Sequence, residues 1–432
     1  MSTITLVEHL ARVEGHGGIT VEMEGDAVTD VRFDVMEGPR LLEALLRGHP
    51  YGQVAPILSR ICAICSVAHT LTSLATTEAA FGITVSAQTR LLRELLFRGE
   101  NIESHALHVF LLALPDYFGA PSAPALATSH PSAVKAGLRL KRLGNQIQEV
   151  IGGRAIHPVN AVLGGMGHLP SVSDLATLRE ALRRAREDAL LAVDIVSALP
   201  ADDFVESDTT FAAVEMHGEY GYFGAGERIV VMSPNGRRHF AASEYRGLTS
   251  EHGVAHGYAK HSTLDGEPIM VGALARLTVN RRRVSPAGTD AIARLGLVLP
   301  SSNPMDNTRA QVVELVMDLE RALEIVGELL GEGMAEEAPL PVEPRAGRAT
   351  VVSEAPRGLL VHSYEYDEAG RVVAADVITP TAINAASMER HFRDTVEQSP
   401  SKALLELTRK LELVARAYDP CISCSVHLVQ HG

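Results

Sequence analysis

Cysteine is scarce in this chain: its 432 residues hold four, Cys62, Cys65, Cys421 and Cys424. They form two Cys-x-x-Cys pairs at opposite ends of the chain, a distribution that argues against structural disulfides in a reducing compartment and for one shared metal site. Long hydrophobic runs are missing as well. Stretches such as Val109 to Leu114 fall far short of the roughly 18 apolar residues that a spanning helix requires, so no direct membrane insertion is expected. The opening Met1-Ser2-Thr3-Ile4-Thr5-Leu6-Val7-Glu8 lacks a basic region followed by an apolar core. No signal peptide is expected, and the chain reads as cytoplasmic. No lysine and arginine cluster stands out, and 39 basic residues against 53 acidic leave a net charge of -14. Nucleic acid is therefore not an expected partner.

What is present is an ordinary globular composition, 46% hydrophobic and 21% charged, with enough length for a large core. No Ser/Gly or proline-rich linker divides the chain, and no internal repeat is visible, so a single domain over residues 1–432 is expected. Residues 1–38 alternate apolar and polar positions (Ile19, Val21, Met23, then Val28, Val31, Phe33, Val35) about the turn Glu24-Gly25-Asp26 and read as a β-hairpin. Residues 39–200 and 300–335 carry helical spacing and form the expected helical core. One stripe runs Leu175, Leu178, Leu182, Ala185, Ala189, Val193 and Val196 behind a Ser173-Asp174 cap; another runs Val312, Leu315, Leu319, Leu323, Val326 and Leu330. Residues 201–299 read as a β-rich insert, and 350–427 as a C-terminal metal-binding segment beginning with a strand pair about Asp367-Glu368-Ala369-Gly370. The fold class is α+β, predominantly helical, with a central long-helix bundle and peripheral β-hairpins. Gly224-x-Gly226 lacks the third glycine and the strand-to-helix setting of a dinucleotide fingerprint.

The chemistry concentrates around the cysteines. Arg60-Ile61-Cys62-Ala63-Ile64-Cys65-Ser66-Val67-Ala68-His69 places two thiols at a turn into an apolar run, where a helix N-terminus favours thiolate. His69 follows Cys65 by one helical turn. Asp419-Pro420-Cys421-Ile422-Ser423-Cys424-Ser425-Val426-His427 repeats the design after a helix that Pro420 ends. Four thiolates brought together hold zinc or an iron–sulfur cluster in most proteins, and spacing alone leaves structural zinc open. Structural zinc, however, has no need of Arg60, of Asp419-Pro420, or of a histidine after each pair.

These residues resemble the two signatures of nickel-iron hydrogenase large subunits, R-x-C-x-x-C-x-x-x-H and D-P-C-x-x-C-x-x-H. The resemblance covers nearly the whole chain. Arg12-Val13-Glu14-Gly15-His16 resembles the family's R-x-E-G-H opening, and His157-Pro158 with Gly164-Gly165 its H-P and G-G segment. Ala355-Pro356-Arg357-Gly358 and Thr379-Pro380-Thr381-Ala382-Ile383-Asn384 resemble the canopy over iron. Ile102-Glu103-Ser104-His105-Ala106-Leu107-His108 and the short length look most like the cytoplasmic, NADP-linked, sulfhydrogenase-like group.

The resemblance implies a nickel-iron hydrogenase large-subunit fold and reversible heterolytic cleavage of dihydrogen. It implies Cys62 and Cys421 as terminal nickel ligands, and Cys65 and Cys424 as bridges to an iron carrying carbon monoxide and cyanide. Cys421 would be the first base and Glu14 the proton relay. His69 would hydrogen-bond a bridging sulfur, while Arg357 would face cyanide and Thr381 would hydrogen-bond it. Glu43 and His427 align with magnesium ligands. His105 and His108, which share a helix face, read as packing or hydrogen-bonding residues. With all four cysteines committed, no iron–sulfur cluster is expected in this chain. Electrons would leave through an iron–sulfur small subunit and then diaphorase subunits binding flavin and NADP. A maturation chaperone is implied, with an endopeptidase that removes Leu428 to Gly432. The rival readings are a structural zinc protein and a metal-free scaffold subunit like that of respiratory NADH dehydrogenase, whose members lack the paired cysteines.

Overall fold

The computed structural model describes residues 2–38, 41–200, 203–215, 220, 222 and 228–426. It opens with an antiparallel sheet of β1 (Ser2–Val7), β2 (Gly17–Glu24) and β3 (Ala27–Val35). The β2–β3 hairpin turns at Gly25, whose φ of 64° suits glycine, and β1 adds a third strand to it. Inward residues Ile19, Val21 and Phe33 bury almost completely, which fixes the register. α1 (Ser66–Phe81) follows and is buried along most of its length.

α2 (Ala87–Ala106) starts at Ser86, whose hydroxyl accepts from the Thr89 amide at 2.9 Å, and runs on into a π-helical turn, Leu107–Ala113. α3 (Pro131–Gly152) crosses it closely. A Cβ at Gly144 would stand 2.5 Å from the carbonyl oxygen of Gly99, so only glycine permits this backbone approach. α4 (Val172–Ser197) is capped by Ser171, not by the expected Ser173-Asp174; the Ser171 hydroxyl accepts from the Asp174 amide at 3.1 Å. The cap lies earlier because the residue with extended backbone (ψ 155°) is Ser171, which leaves Ser173 and Asp174 inside the first turn. Every residue of the α4 stripe from Leu175 to Val196 is buried.

An antiparallel sheet of β4 (Phe211–Glu215), β5 (Arg228–Ser233) and β6 (Gly236–Ala241) comes next, then a small pair, β7 (His252–Gly253) and β8 (Lys260–His261). Gly224 and Gly226 lie outside the described residues. β structure does not extend through the whole of residues 201–299: α5 (Ala273–Val279) and a helix at Pro286–Leu295 occupy its last part. The second of these has a Ser285 cap with proline at its first position, a start signal that outweighs the lost apolar periodicity. α6 (Asp306–Gly331) packs on α4 and on α2, and α3 packs on both α2 and α4, closing a ring of four helices. On α6, Val312, Leu315, Leu319 and Val326 are buried, while Leu323 and Leu330 pack at the edge of the core.

The chain then forms an antiparallel sheet, β9 (Gly347–Ala355), β10 (Gly358–Tyr366) and β11 (Val372–Ile378), against which α1 lies. α7 (Pro380–Gln398) and α8 (Leu404–Ala417) lead to the final cysteines. No helix among the described residues is long and apolar enough to cross a membrane.

Candidate metal centre

Each cysteine pair sits where a helix meets a tight turn. Cys62 leaves a short 3-10 turn, Ser59–Ile61, in extended conformation, and Cys65 is the residue that starts α1. The H-P segment braces this loop. The His157 amide donates to the Ser66 hydroxyl at 2.9 Å, and His157 Nδ1 lies 2.9 Å from the Ser59 carbonyl oxygen. At the other end, α8 stops before Asp419, whose φ of 51° swings the chain back toward the N-terminal strands. There Glu14 and Cys421 form a parallel bridge, with the Ile422 amide donating to the Glu14 carbonyl oxygen at 2.9 Å. Gly15 explains why a glycine follows Glu14. Its φ is 86°, and a Cβ would meet that of Ile422 at 2.8 Å.

The two pairs converge. Cys62 Sγ lies 3.1 Å from Cys421 Sγ, Cys65 Sγ 3.6 Å from Cys424 Sγ, and Cys421 Sγ 2.7 Å from Cys424 Sγ. All four sulfurs fall within 4.8 Å of one another, and all four residues are buried. Sulfur hydrogen bonds, first from Cys421, draw the Cys62 thiol well below the ordinary range; burial pushes Cys421 and Cys424 well above it. One ionised sulfur thus opposes ionisation of the rest, and a cation of high charge is what lets several thiolates coexist. Soft thiolates in this number suit nickel, iron or zinc.

Beside the sulfurs stands Arg357, at the tip of the tight β9–β10 hairpin in which Ala355 pairs with Gly358. Its Nε donates to the Asp419 carbonyl oxygen at 2.8 Å and its Nη2 to Asp419 Oδ1 at 3.0 Å. Burial opposes its charge, but Asp419 and the cysteine sulfurs hold the guanidinium above its ordinary pKa. Nη1 is buried without a hydrogen-bond partner among the described residues. A buried donor left open beside a metal-binding tetrathiolate fits a small anionic ligand and does not fit structural zinc, which needs none. The N-terminus of α7 completes this wall: the Thr381 hydroxyl accepts from the Cys421 amide at 2.9 Å, and the Thr379 hydroxyl donates to the Cys424 carbonyl oxygen at 3.0 Å.

Glu14 also reaches the sulfurs and is half-buried, not fully buried. Its Oε2 lies 3.2 Å from Cys421 Sγ and accepts from the Ser423 amide at 3.0 Å; its Oε1 accepts from the Ser423 hydroxyl. Arg12 is engaged elsewhere, donating to the Leu112 carbonyl oxygen at 2.6 Å and pairing with Asp116.

A nickel-dependent hydrogenase family model matches residues 40–136 and 235–427, and a HoxL-like model matches residues 4–37. The chain belongs to the nickel-dependent hydrogenase family. It is 38% identical over 431 residues to the sulfhydrogenase 1 alpha subunit of Pyrococcus furiosus, covering 98% of each chain. Its identity to the sulfhydrogenase 2 alpha subunit of the same organism is 37%, over 98% of this chain and 99% of that one. Among solved structures, an NAD+-reducing [NiFe]-hydrogenase in the H2-reduced state superposes with a TM-score of 0.87 at 26% identity, over 99% of this chain and 100% of that one. The chain is thus a catalytic large subunit of the nickel-iron hydrogenases, with its four cysteines at the metal site.

The remaining motif residues of this hydrogenase subunit fall in different places. His69 is buried, which drives its pKa down to about 4, and its Nδ1 lies 3.2 Å from His362 Nε2. Glu43 is half-buried and accepts from the Val377 amide at 2.7 Å; burial raises its pKa against the nearby Lys260. His427 and Leu428 to Gly432 lie outside the described residues. His105 and His108 serve as hydrogen-bonding residues, with Nε2 of His105 2.8 Å from Glu314 and Nε2 of His108 2.7 Å from the Arg416 carbonyl oxygen. Sequence reasoning missed Glu100. Fully buried, it accepts from the Val67 amide at 2.6 Å and the Ala68 amide at 2.9 Å, fixing the start of α1 just behind Cys65. It also missed His362 and the bracing role of Asp419. The latter was within reach, because an aspartate before proline at a helix end is a turn signal.

Proposed function

We propose that this subunit activates dihydrogen in a cytoplasmic, NADP-linked multimeric hydrogenase. Cys62, Cys65, Cys421 and Cys424 would hold nickel and iron, with Cys65 and Cys424 shared between the metals as the family pattern implies. When bound, that metal pair supplies the Lewis acidity and redox capacity for heterolytic cleavage of dihydrogen. The chain's own residues manage the proton and the ligands. Cys421 Sγ is the first proton acceptor, and Glu14 Oε2, 3.2 Å away, takes the proton onward toward Ser423. This contact carries the reading, since it places a carboxylate against a metal-binding sulfur where structural zinc would have no use for one. The open Nη1 of Arg357 fits cyanide on iron, with the Thr381 hydroxyl as a second donor. Glu43 and His427 would hold magnesium.

All four cysteines of the sequence serve this centre. Electrons therefore pass to an iron–sulfur small subunit, then to diaphorase subunits binding flavin and NADP. The names of the similar proteins, sulfhydrogenase alpha subunits and an NAD+-reducing hydrogenase, support a multisubunit enzyme with a nicotinamide acceptor. A maturation chaperone inserts the metals, and an endopeptidase then removes Leu428 to Gly432. The test is the complex purified with its partners under dihydrogen. NADPH should form, accompanied by infrared bands of carbon monoxide and cyanide. Absence of those bands from a nickel-loaded enzyme would overturn the ligand assignment, and reduction of other carriers but not NADP+ would overturn the acceptor.

A further inference from the structure

A second group of metal-ligating side chains lies apart from the cysteines, where the β7–β8 segment meets α7. His256 Nε2 stands 2.8 Å from Glu389 Oε1, and His261 Nδ1 stands 3.6 Å from Glu389 Oε2. One atom from each residue can be chosen so that all lie within 4.8 Å of one another. Two imidazoles and a carboxylate are the donor set of many zinc sites. Ligands placed 2.0–2.1 Å from a tetrahedral ion stand about 3.3 Å apart, and the two separations here bracket that value. The 3.6 Å spacing is too long for a hydrogen bond but suits two donors arranged about a common centre.

The surroundings hold these donors in place. The Phe33 amide, on β3, donates to Glu389 Oε1 at 2.8 Å, so the carboxylate is fixed by backbone before any ion arrives. The His261 side chain is only 5% exposed, while those of His256 and Glu389 are near 20%, giving a closed floor and an open mouth. His252 pairs across the small sheet with His261, their rings 6.1 Å apart, and water can complete the coordination.

We propose that His256, His261 and Glu389 bind one zinc ion, separate from the nickel-iron centre. Imidazole nitrogen favours zinc over magnesium or calcium, which take oxygen donors. The ion would tie three elements together, the β7–β8 segment, α7 and, through Phe33, β3. Ala259 within that segment forms a bridge with Val426, two residues beyond Cys424. The zinc would therefore act as a staple behind the C-terminal cysteine segment, with no part in hydrogen chemistry.

The experiment uses the assembled, nickel-loaded complex, treated with a mild chelator and then dialysed against micromolar zinc. One zinc per large subunit should be recovered, and it should be lost in both His261→Gln and Glu389→Gln with nickel and iron content unchanged. The same zinc content in wild type and both variants, or no recovered zinc in wild type, would overturn the site. Zinc K-edge absorption on the wild-type complex covers the case in which a variant fails to assemble. Nitrogen and oxygen neighbours at about 2.0 Å with imidazole scattering are expected. A sulfur shell at about 2.3 Å would put the ion on the cysteines and contradict the proposal.

Discussion

Glu14 is held by three contacts at once, the Cys421 sulfur and the amide and hydroxyl of Ser423, so it has one geometry and a defined neighbour to pass a proton to. Replacing it with glutamine keeps the shape and most of the hydrogen bonding while removing the ionisable group. We expect Glu14→Gln to retain normal nickel content and to lose about 10²–10⁴-fold in isotope exchange between dihydrogen and water, the usual contribution of a positioned proton-transfer group. Near wild-type exchange in a fully metallated variant would show that protons leave by another route. The sequence exposes Glu14, Arg357 and the cysteines because each sits in a short ordered motif whose spacing carries chemistry. Glu100 is invisible to the same reading. It lies mid-helix among Arg98, Gly99 and Asn101, and only the folding of α2 behind α1 brings its carboxylate to the Val67 and Ala68 amides.

The elements around the centre are joined by backbone contacts that tolerate little added volume. Gly15 combines a left-handed φ of 86° with a would-be Cβ 2.8 Å from that of Ile422 and 3.0 Å from the Ser423 amide nitrogen. A Gly15→Ala change therefore pays for both conformation and overpacking, about 2–4 kcal/mol together. The expected outcome is a lower thermal midpoint and reduced nickel content, since the strand carrying Glu14 must move away from the Cys421 loop. Wild-type melting and full nickel loading would contradict the close approach. The long helices were legible because their stripes repeat over many turns, and α4 and α6 bury them. The third strand of the N-terminal sheet and the helix at Pro286–Leu295 were not, because short segments depend on tertiary partners more than on pattern. The Ser171 cap shows the same limit at one residue's resolution, since several adjacent residues could each have served.

At the scale of the whole molecule, a ring of four helices and, among the described residues, three three-stranded sheets build the frame in which the start of α1 and the loop after α8 bring together cysteines from distant parts of the chain. The distribution of the thiol pairs already argued for one shared site and the family resemblance implied its ligand roles; neither could show the distances between sulfurs, or the open Nη1 of Arg357, which depends on the β9–β10 hairpin folding over the site. Hydrogen activation by this subunit depends on nickel bound by these thiolates. The most direct measurement is nickel, iron and zinc content per chain in the matured complex, for wild type and for Cys65→Ser. One nickel and one iron of the centre per large subunit are predicted for wild type, with both lost from Cys65→Ser. Zinc on the cysteines without nickel, or a Cys65→Ser protein that keeps its nickel, would contradict it.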